Sequence, residues 1–201
     1  MKKNENAFTG LEAAIVLIAF VVVAAVFSYV MLGAGFFTAQ KSQEVVHTGI
    51  GQAASSIEVV GDVIGEGVPA HLNTTRFAIH LTSGMNEMNI SAMRVTYSDP
   101  GTRQDLTFDS TNSVATGGAP TEGPADPNTW IIRRVENRDF AVIPGNDRVL
   151  RPGEKFLLEM AVPTTSTPNT RFVISMQPEV GALTTVVRTV PASIYPVNIL
   201  R

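Results

Sequence analysis

No cysteine occurs anywhere in the 201 residues. Disulfides, thiolate zinc sites and cysteine nucleophiles are therefore excluded, and the redox compartment is left open. Charge is scarce as well. Fifteen basic against 18 acidic side chains leave a formal net charge of −3, too close to neutral for a global field that would recruit nucleic acid. Proline is absent before Pro69, and no charged side chain falls between Ala13 and Phe37. No P-loop, Gly-x-Ser-x-Gly or Gly-x-Gly-x-x-Gly stands in a strand-to-helix context, and "GIGQAAS" at 49–55 is too poor in glycine for the last. An enzymatic reaction, a cofactor and a metal centre are accordingly not expected.

What is present divides the chain in two. The first forty residues are almost wholly apolar, and the remainder is a Thr-, Val-, Pro- and Gly-rich mixture with dispersed charge. An apolar run of about 25 residues, rising about 1.5 Å per residue, spans a hydrocarbon core of about 30 Å. Its Leu, Val and Ile lie on every face, so the helix must sit in lipid or be surrounded by protein. Lys2 and Lys3 precede it, and Lys41 and Glu44 close it. The positive-inside tendency keeps the N-terminus in the cytoplasm and sends the bulk outside. Three readings compete. The run is too long for a secretory signal peptide, while a plain anchor gives no reason for Glu12 at its mouth. A short leader removed in front of a retained helix explains more. Were the cut to fall between Ala7 and Phe8, the new α-amine would stand one helical turn from Glu12. That amine would offset the cost of a carboxylate near hydrocarbon. The plainer account of Glu12 is an acid at a helix start lying in the headgroup region.

"AFTGLEAAIVLIAF" (residues 7–20) resembles the processing region of type IV pilins and their archaeal relatives. Its continuation through "VVVAAV" to "QKSQE" resembles archaellins, the subunits of the archaeal flagellum. The resemblance is strong from residue 6 to about 45 and moderate beyond. It implies cleavage after Ala7 by a prepilin peptidase-like enzyme, with Phe8, Gly10 and Glu12 in the processing and assembly segment. Ala7 stands where bacterial pilins nearly always have glycine, and no helix-kinking proline follows, both of which weigh against a bacterial pilin. The unbroken pattern predicts a helix over about 10–50, roughly 60 Å long, with Gly49 and Gly51 as punctuators at its end.

After Ser56 eight short stretches rich in β-formers follow one another without a helical pattern: 56–67, 76–84, 88–100, 103–110, 129–137, 155–163, 171–180 and 182–191. Alternation is clear in "ISAMRVTYS" and "KFLLEMAV". The fold class expected is α+β, a long N-terminal apolar α-helix followed by an immunoglobulin-like antiparallel β-sandwich. "RPGEKFLLEM" reads as a turn feeding a strand, and residues 110–129 read as a long surface loop with no apolar anchor. The divisions expected are 1–7 as leader, 8–55 as filament-core helix and 56–201 as outer domain.

Chemistry in the second part is thin. His47, His71 and His80 have no metal-ligand spacing. Asp105 and Asp109 can share a strand face and hold a cation, or be two solvated acids. Two N-x-Ser/Thr sequons stand at Asn73 and Asn89. They are weak alone and gain weight in an extracellular domain, since archaellins are often N-glycosylated; Asn73 reads as an accessible turn residue and Asn89 as a strand opening that is partly buried. "TTSTPNT" (164–170) carries O-linked sugars or is an ordinary turn.

The resemblance implies a structural subunit that polymerises into the archaeal flagellum for swimming. Its partners would be further copies of itself and other archaellins, the processing peptidase, the membrane before assembly, and the motor and platform proteins. The alternatives are an archaeal adhesion pilus subunit and a membrane-anchored extracellular binding domain.

Overall fold

The computed structural model describes residues 3–54, 56–82, 87–114, 123–124, 126–143 and 147–201, with helix side chains described from 10 to 51. Two compact units result, Met1–Gly49 and Ile50–Arg201.

A single α-helix, α1, runs over Lys3–Ala54. It is longer at both ends than the pattern predicts, about 78 Å at the standard rise. Gly49 and Gly51 do not end it. One glycine inside a helix costs only about 1 kcal/mol, and Gln52, Ala53 and Ala54 propagate the turn. Four polar side chains near its C-terminal end find partners on the helix itself. Thr38 Oγ1 donates to Ala34 O and Thr48 Oγ1 to Glu44 O, each at 2.8 Å. Lys41 Nζ meets Glu44 Oε2 at 2.7 Å. From Gly10 to Ile50 every residue is exposed.

β-branched Ile57, Val59 and Val60 then switch the chain to strands. These are β1 (Ile57–Val68), β2 (His71–Leu81), β3 (Met88–Asn89), β4 (Arg94–Ser98), β5 (Arg103–Phe108), β6 (Thr129–Glu136), β7 (Val149–Leu150), β8 (Lys155–Ala161), β9 (Arg171–Gln177), β10 (Thr184–Thr189) and β11 (Val197–Leu200). Nine form one sheet in the order β10-β9-β4-β5-β6-β8-β2-β1-β11, and β3 pairs with β7. All these pairings are antiparallel except β5 with β6, where Thr107 faces Thr129 and Phe108 faces Trp130 in parallel. A parallel pair needs a crossover of a dozen or more residues; the segment between Asp109 and Asn128 supplies it. The sheet curls back on itself. Thr184 Oγ1 at the start of β10 donates to Ile57 O at 2.9 Å, and Thr189 N at its end donates to Arg201 O at 3.0 Å. A bulge between Val60 and Ile64 lets β1 leave the β10 side and join β11. Gly61 takes the positive φ of 78° there, which an L side chain resists.

Inside the curled sheet lies one apolar core with Trp130, Tyr97, Phe77, Phe156 and Phe172 fully buried. Tyr97 stacks on Phe172 and Phe108 tilts against Trp130. Burial alternates along β2 and β9, as a one-faced sheet requires. The all-buried ends of β6 and β8 lie at its centre. Three details depart from the sequence reading. Residues 88–100 are two strands parted by a 3-10 turn at Ile90–Ala92. Strands β7 and β11 were not foreseen. The 110–129 segment does have an apolar anchor: Val114 is fully buried and its N–H donates to Ile132 O at 2.8 Å. Residues 115–122 and 125 of that segment lie outside the described residues.

The turn before β8, with Gly153 at a φ of 86°, places Glu154 against Arg138, both buried. Arg138 Nε and Nη2 reach the two Glu154 oxygens at 2.9 and 2.8 Å. The same guanidinium donates to Asp147 O at 2.7 Å and Val149 O at 2.6 Å and lies over the Phe156 ring. Glu154→Ala takes away the carboxylate that neutralises this buried cation. The loss expected is about 3–5 kcal/mol, against under about 1 kcal/mol for Lys41→Ala at the exposed helix pair. Thermal melting of the two detergent-solubilised full-length variants checks the contrast. Equal melting temperatures would show that the buried pair does not stabilise the domain.

Candidate assembly segment and modification sites

The backbone at Ala7 and Phe8 belongs to α1, and their side chains lie outside those described. Gly10 and Glu12 are helical and exposed. In this chain Glu12 sits beyond the first helical turn, where the macrodipole no longer favours an acid. Only a helix that begins nearer to it recovers that help. Among the described residues Glu12 makes no ion pair or hydrogen bond, and neither does the phenol of Tyr29.

Around and beyond Glu12 the helix surface is hydrocarbon. Every large apolar side chain from Leu11 to Ile50 is more than half exposed. Monomeric soluble proteins rarely show contiguous apolar patches of more than a few hundred Å², so this surface is made to be covered. It is not smooth. Val16, Ala19, Phe20 and Val23 line a shallow notch of about 220 Å³, floored by the small Ala19. Sequence reasoning missed it. The signal was one alanine among bulkier neighbours at helical spacing.

The two sequons are placed differently from their reading. Asn73 is the third residue of β2, not a turn residue; its side chain is exposed, while its carbonyl accepts from Val162 N at 2.8 Å. Thr75, the hydroxyl residue of that sequon, is fully buried. Asn89 is exposed rather than partly buried, because it ends a two-residue strand. Its Oδ1 accepts from Ser91 N at 3.1 Å and Ser91 Oγ at 2.8 Å, closing a local turn.

Other candidates resolve into structure. Asp105 binds Arg94 at 2.6 Å and Thr96 at 2.8 Å, whereas Asp109 caps the turn after β5 through Thr111 N and Asn112 N. The two acids thus serve separate partners. His71 and His80 meet the carbonyls of Leu72 and Leu81, and His47 is exposed on α1. In "TTSTPNT", Ser166 is fully buried, bonded to the Tyr97 hydroxyl at 2.5 Å, and its carbonyl accepts from Leu72 N. Thr165 Oγ1 donates to Asp99 Oδ2 at 2.6 Å. The segment is a strap tied to the sheet.

The geometry, a long uncovered apolar helix ahead of a self-contained β domain, has a counterpart among known proteins. The profile of the archaeal-type flagellin family matches residues 7–188. The chain belongs to that family. A probable flagellin of Archaeoglobus fulgidus is 37% identical over 98% of this chain and 96% of its own length. A 24 kDa flagellin of Methanospirillum hungatei shares 97% identity over 30 residues, covering 15% of this flagellin and 94% of that sequence. The solved archaeal flagellum of Methanospirillum hungatei strain JF1 superposes with a TM-score of 0.67 at 30% identity. It covers 96% of this chain and 99% of its own. The long helix followed by an antiparallel-rich β domain is thus the architecture of a solved archaeal flagellin.

One network in this flagellin's β domain titrates. Burial pushes the Tyr97 phenol above its ordinary range. For Asp99, partial burial pulls upward, but bonds from Thr165, Gly101 N, Thr102 N and Tyr97 outweigh it and hold the carboxyl below 3.8. A carboxyl depressed in the folded state contributes stability above its unfolded value, and that contribution is lost as pH falls through the folded one. Wild type is therefore expected to lose melting temperature more steeply below pH 3.8 than Asp99→Asn. Thermal melts from acid to neutral pH check it. Parallel curves would mean that Asp99 is not coupled to folding.

Proposed function

We propose that the chain is a structural subunit that polymerises through α1 into the shaft of an archaeal flagellum, with the β domain as the outer layer. One observation carries this: near-complete mutual coverage with the subunit of a solved archaeal flagellum, by a chain whose helix is exposed apolar surface from Ala13 to Phe37. The filament is extracellular, and α1 is long and apolar enough to rest in a membrane beforehand. Residues 1–7 are a leader removed by a prepilin peptidase-like enzyme, 8–55 the core helix and 56–201 the outer domain. The family match begins at Ala7, one residue before the proposed cut. Freed at Phe8, the α-amine pairs with Glu12 and fixes the axial register; Gly10 lies between them without a side chain. Motor and platform proteins turn the shaft.

Sugars attach at Asn73 and Asn89. The buried Thr75 supports modification of Asn73 before β2 pairs with its neighbours, whereas the exposed turn at Asn89 is open in the folded domain.

The experiment is to shear appendages from native cells and read this chain's N-terminal residue and intact mass. A start at Phe8, with added mass on Asn73 or Asn89, is expected; a start at Met1 recovered only with membranes overturns the filament reading. Deleting the chain is expected to abolish swimming and leave attachment intact, and the opposite result would make it an adhesion pilus subunit. Glu12→Gln is expected to lower filament yield strongly, and a normal yield would exclude the amine pair as the register.

A further inference from the structure

The filament leaves one problem that the Phe8 amine does not solve. Between Ala13 and Phe37 the chain has two hydroxyls, Ser28 and Tyr29. A buried hydroxyl needs a partner. Serine can find one on its own helix, as Thr38 and Thr48 do at the carbonyl four residues back. Tyrosine cannot, because its phenol oxygen stands too far from its own backbone. Tyr29 is 81% exposed, the most of any large hydrophobic side chain described on α1, so it projects as a knob with a polar tip. When protein replaces water around α1, that tip must meet an acceptor on another copy.

An acceptor and a receptacle stand together on the opposite partner surface. At 100° per residue, Glu12 shares a helix face with Val16, Ala19 and Val23, and Phe20 borders it. The edge of the notch at Val16 therefore stands one turn beyond the carboxylate, and its far wall at Val23 about three turns. Tyr29 lies about 100° round the axis from Glu12, so one chain cannot bring the two groups together. An open helical filament joins two different patches of the same chain head to tail, and these two patches complement one another.

We infer that Tyr29 of one subunit packs its ring against Val16, at the N-terminal edge of the notch of a neighbouring copy, and donates its hydroxyl to that copy's Glu12. Helical side chains lean toward the N-terminus. With parallel helices, Tyr29 then lies level with Val16 of its neighbour, an axial offset of thirteen residues or roughly 20 Å. The carboxylate has room for both donors, since its two oxygens accept several bonds. The contact rests on the filament reading above and adds a lateral partner and a stagger to it.

The absence of cysteine gives a clean test in sheared filaments. The pair Val23→Cys/Phe36→Cys repeats the thirteen-residue offset two turns along the same two faces and leaves Glu12, Ala19 and Tyr29 in place. Mild oxidation is expected to link subunits into a disulfide ladder, while Val23→Cys/Gln43→Cys, on the same faces about 10 Å out of step, stays unlinked. The reverse pattern, or no ladder from either assembled pair, overturns the contact and gives the notch to another part of the neighbour or to lipid. Tyr29→Phe keeps the knob and removes only the donor. In heated Tyr29→Phe filaments the ratio of released to polymerised chain is expected to rise about tenfold over wild type, the effect of one lost bond to a charged group. An unchanged ratio overturns the hydroxyl–carboxylate bond. Absence of the wild-type chain from sheared filaments overturns the filament reading itself, and the contact falls with it.

Discussion

The constraint on which everything else depends is that α1 is apolar on every face. Water cannot be its solvent over the apolar stretch from Ala13 to Phe37. Lipid and a bundle of like helices are the available covers, and they are nearly equal in polarity. Moving from one to the other therefore gains little from the hydrophobic effect; packing and the rare polar groups decide it. In such a surroundings a single carboxylate or phenol weighs more than several leucines. A helix so uniform in hydrocarbon would slide against its copies unless a shape or a charge fixed the register, and the notch at Ala19, the acid at Glu12 and the phenol of Tyr29 break that uniformity.

The β domain answers to a different solvent. Its core is closed by its own strands, from Ile57 to Leu200. Its buried acids have partners within the domain: Glu154 meets Arg138 in a two-pronged contact, and Glu159 receives Arg133 at 2.8 Å and Arg76 at 3.1 Å. Arg76 in turn bonds Glu66. The seam where the curled sheet meets itself is held at both ends of β10. A domain built this way needs no neighbour to complete its core.

Much of this was legible in the residues, because the patterns were strong where solvent chooses. The apolar helix, the chain of short strands and the Pro-Gly turn before β8 all show in periodicity and turn chemistry. What was not legible was set by tertiary contact. Gly49 and Gly51 read as stops, yet tolerant neighbours carried the helix past them. Strands β7 and β11 are too short for alternation to register; β11 pairs with β1 only beyond its bulge, at Val63–Glu66. The fully buried Val114 looked like part of a polar loop, since one valine among turn formers has no period. Asn89 read as half-buried because a longer strand was expected there, and the turn that its own side chain closes ended that strand early. The notch at Ala19 is a matter of shape, which a sequence pattern does not show.

Folding and assembly are thereby assigned to different polar groups. Within the β domain, Asp99, Asp105, Glu154 and Glu159 find their donors in the same chain. On α1, Lys41 and Glu44 satisfy each other, and the threonines satisfy themselves. Glu12 and Tyr29 have no partner among the described residues, and they are the acid and the phenol of the apolar stretch from Leu11 to Phe37. A group without a partner inside a fold is a cost to that fold only if the fold buries it. Here the single chain leaves both exposed and bears no such cost. The requirement for a partner arises when other copies bury them, so it acts on the geometry of the assembly and not on the stability of the subunit.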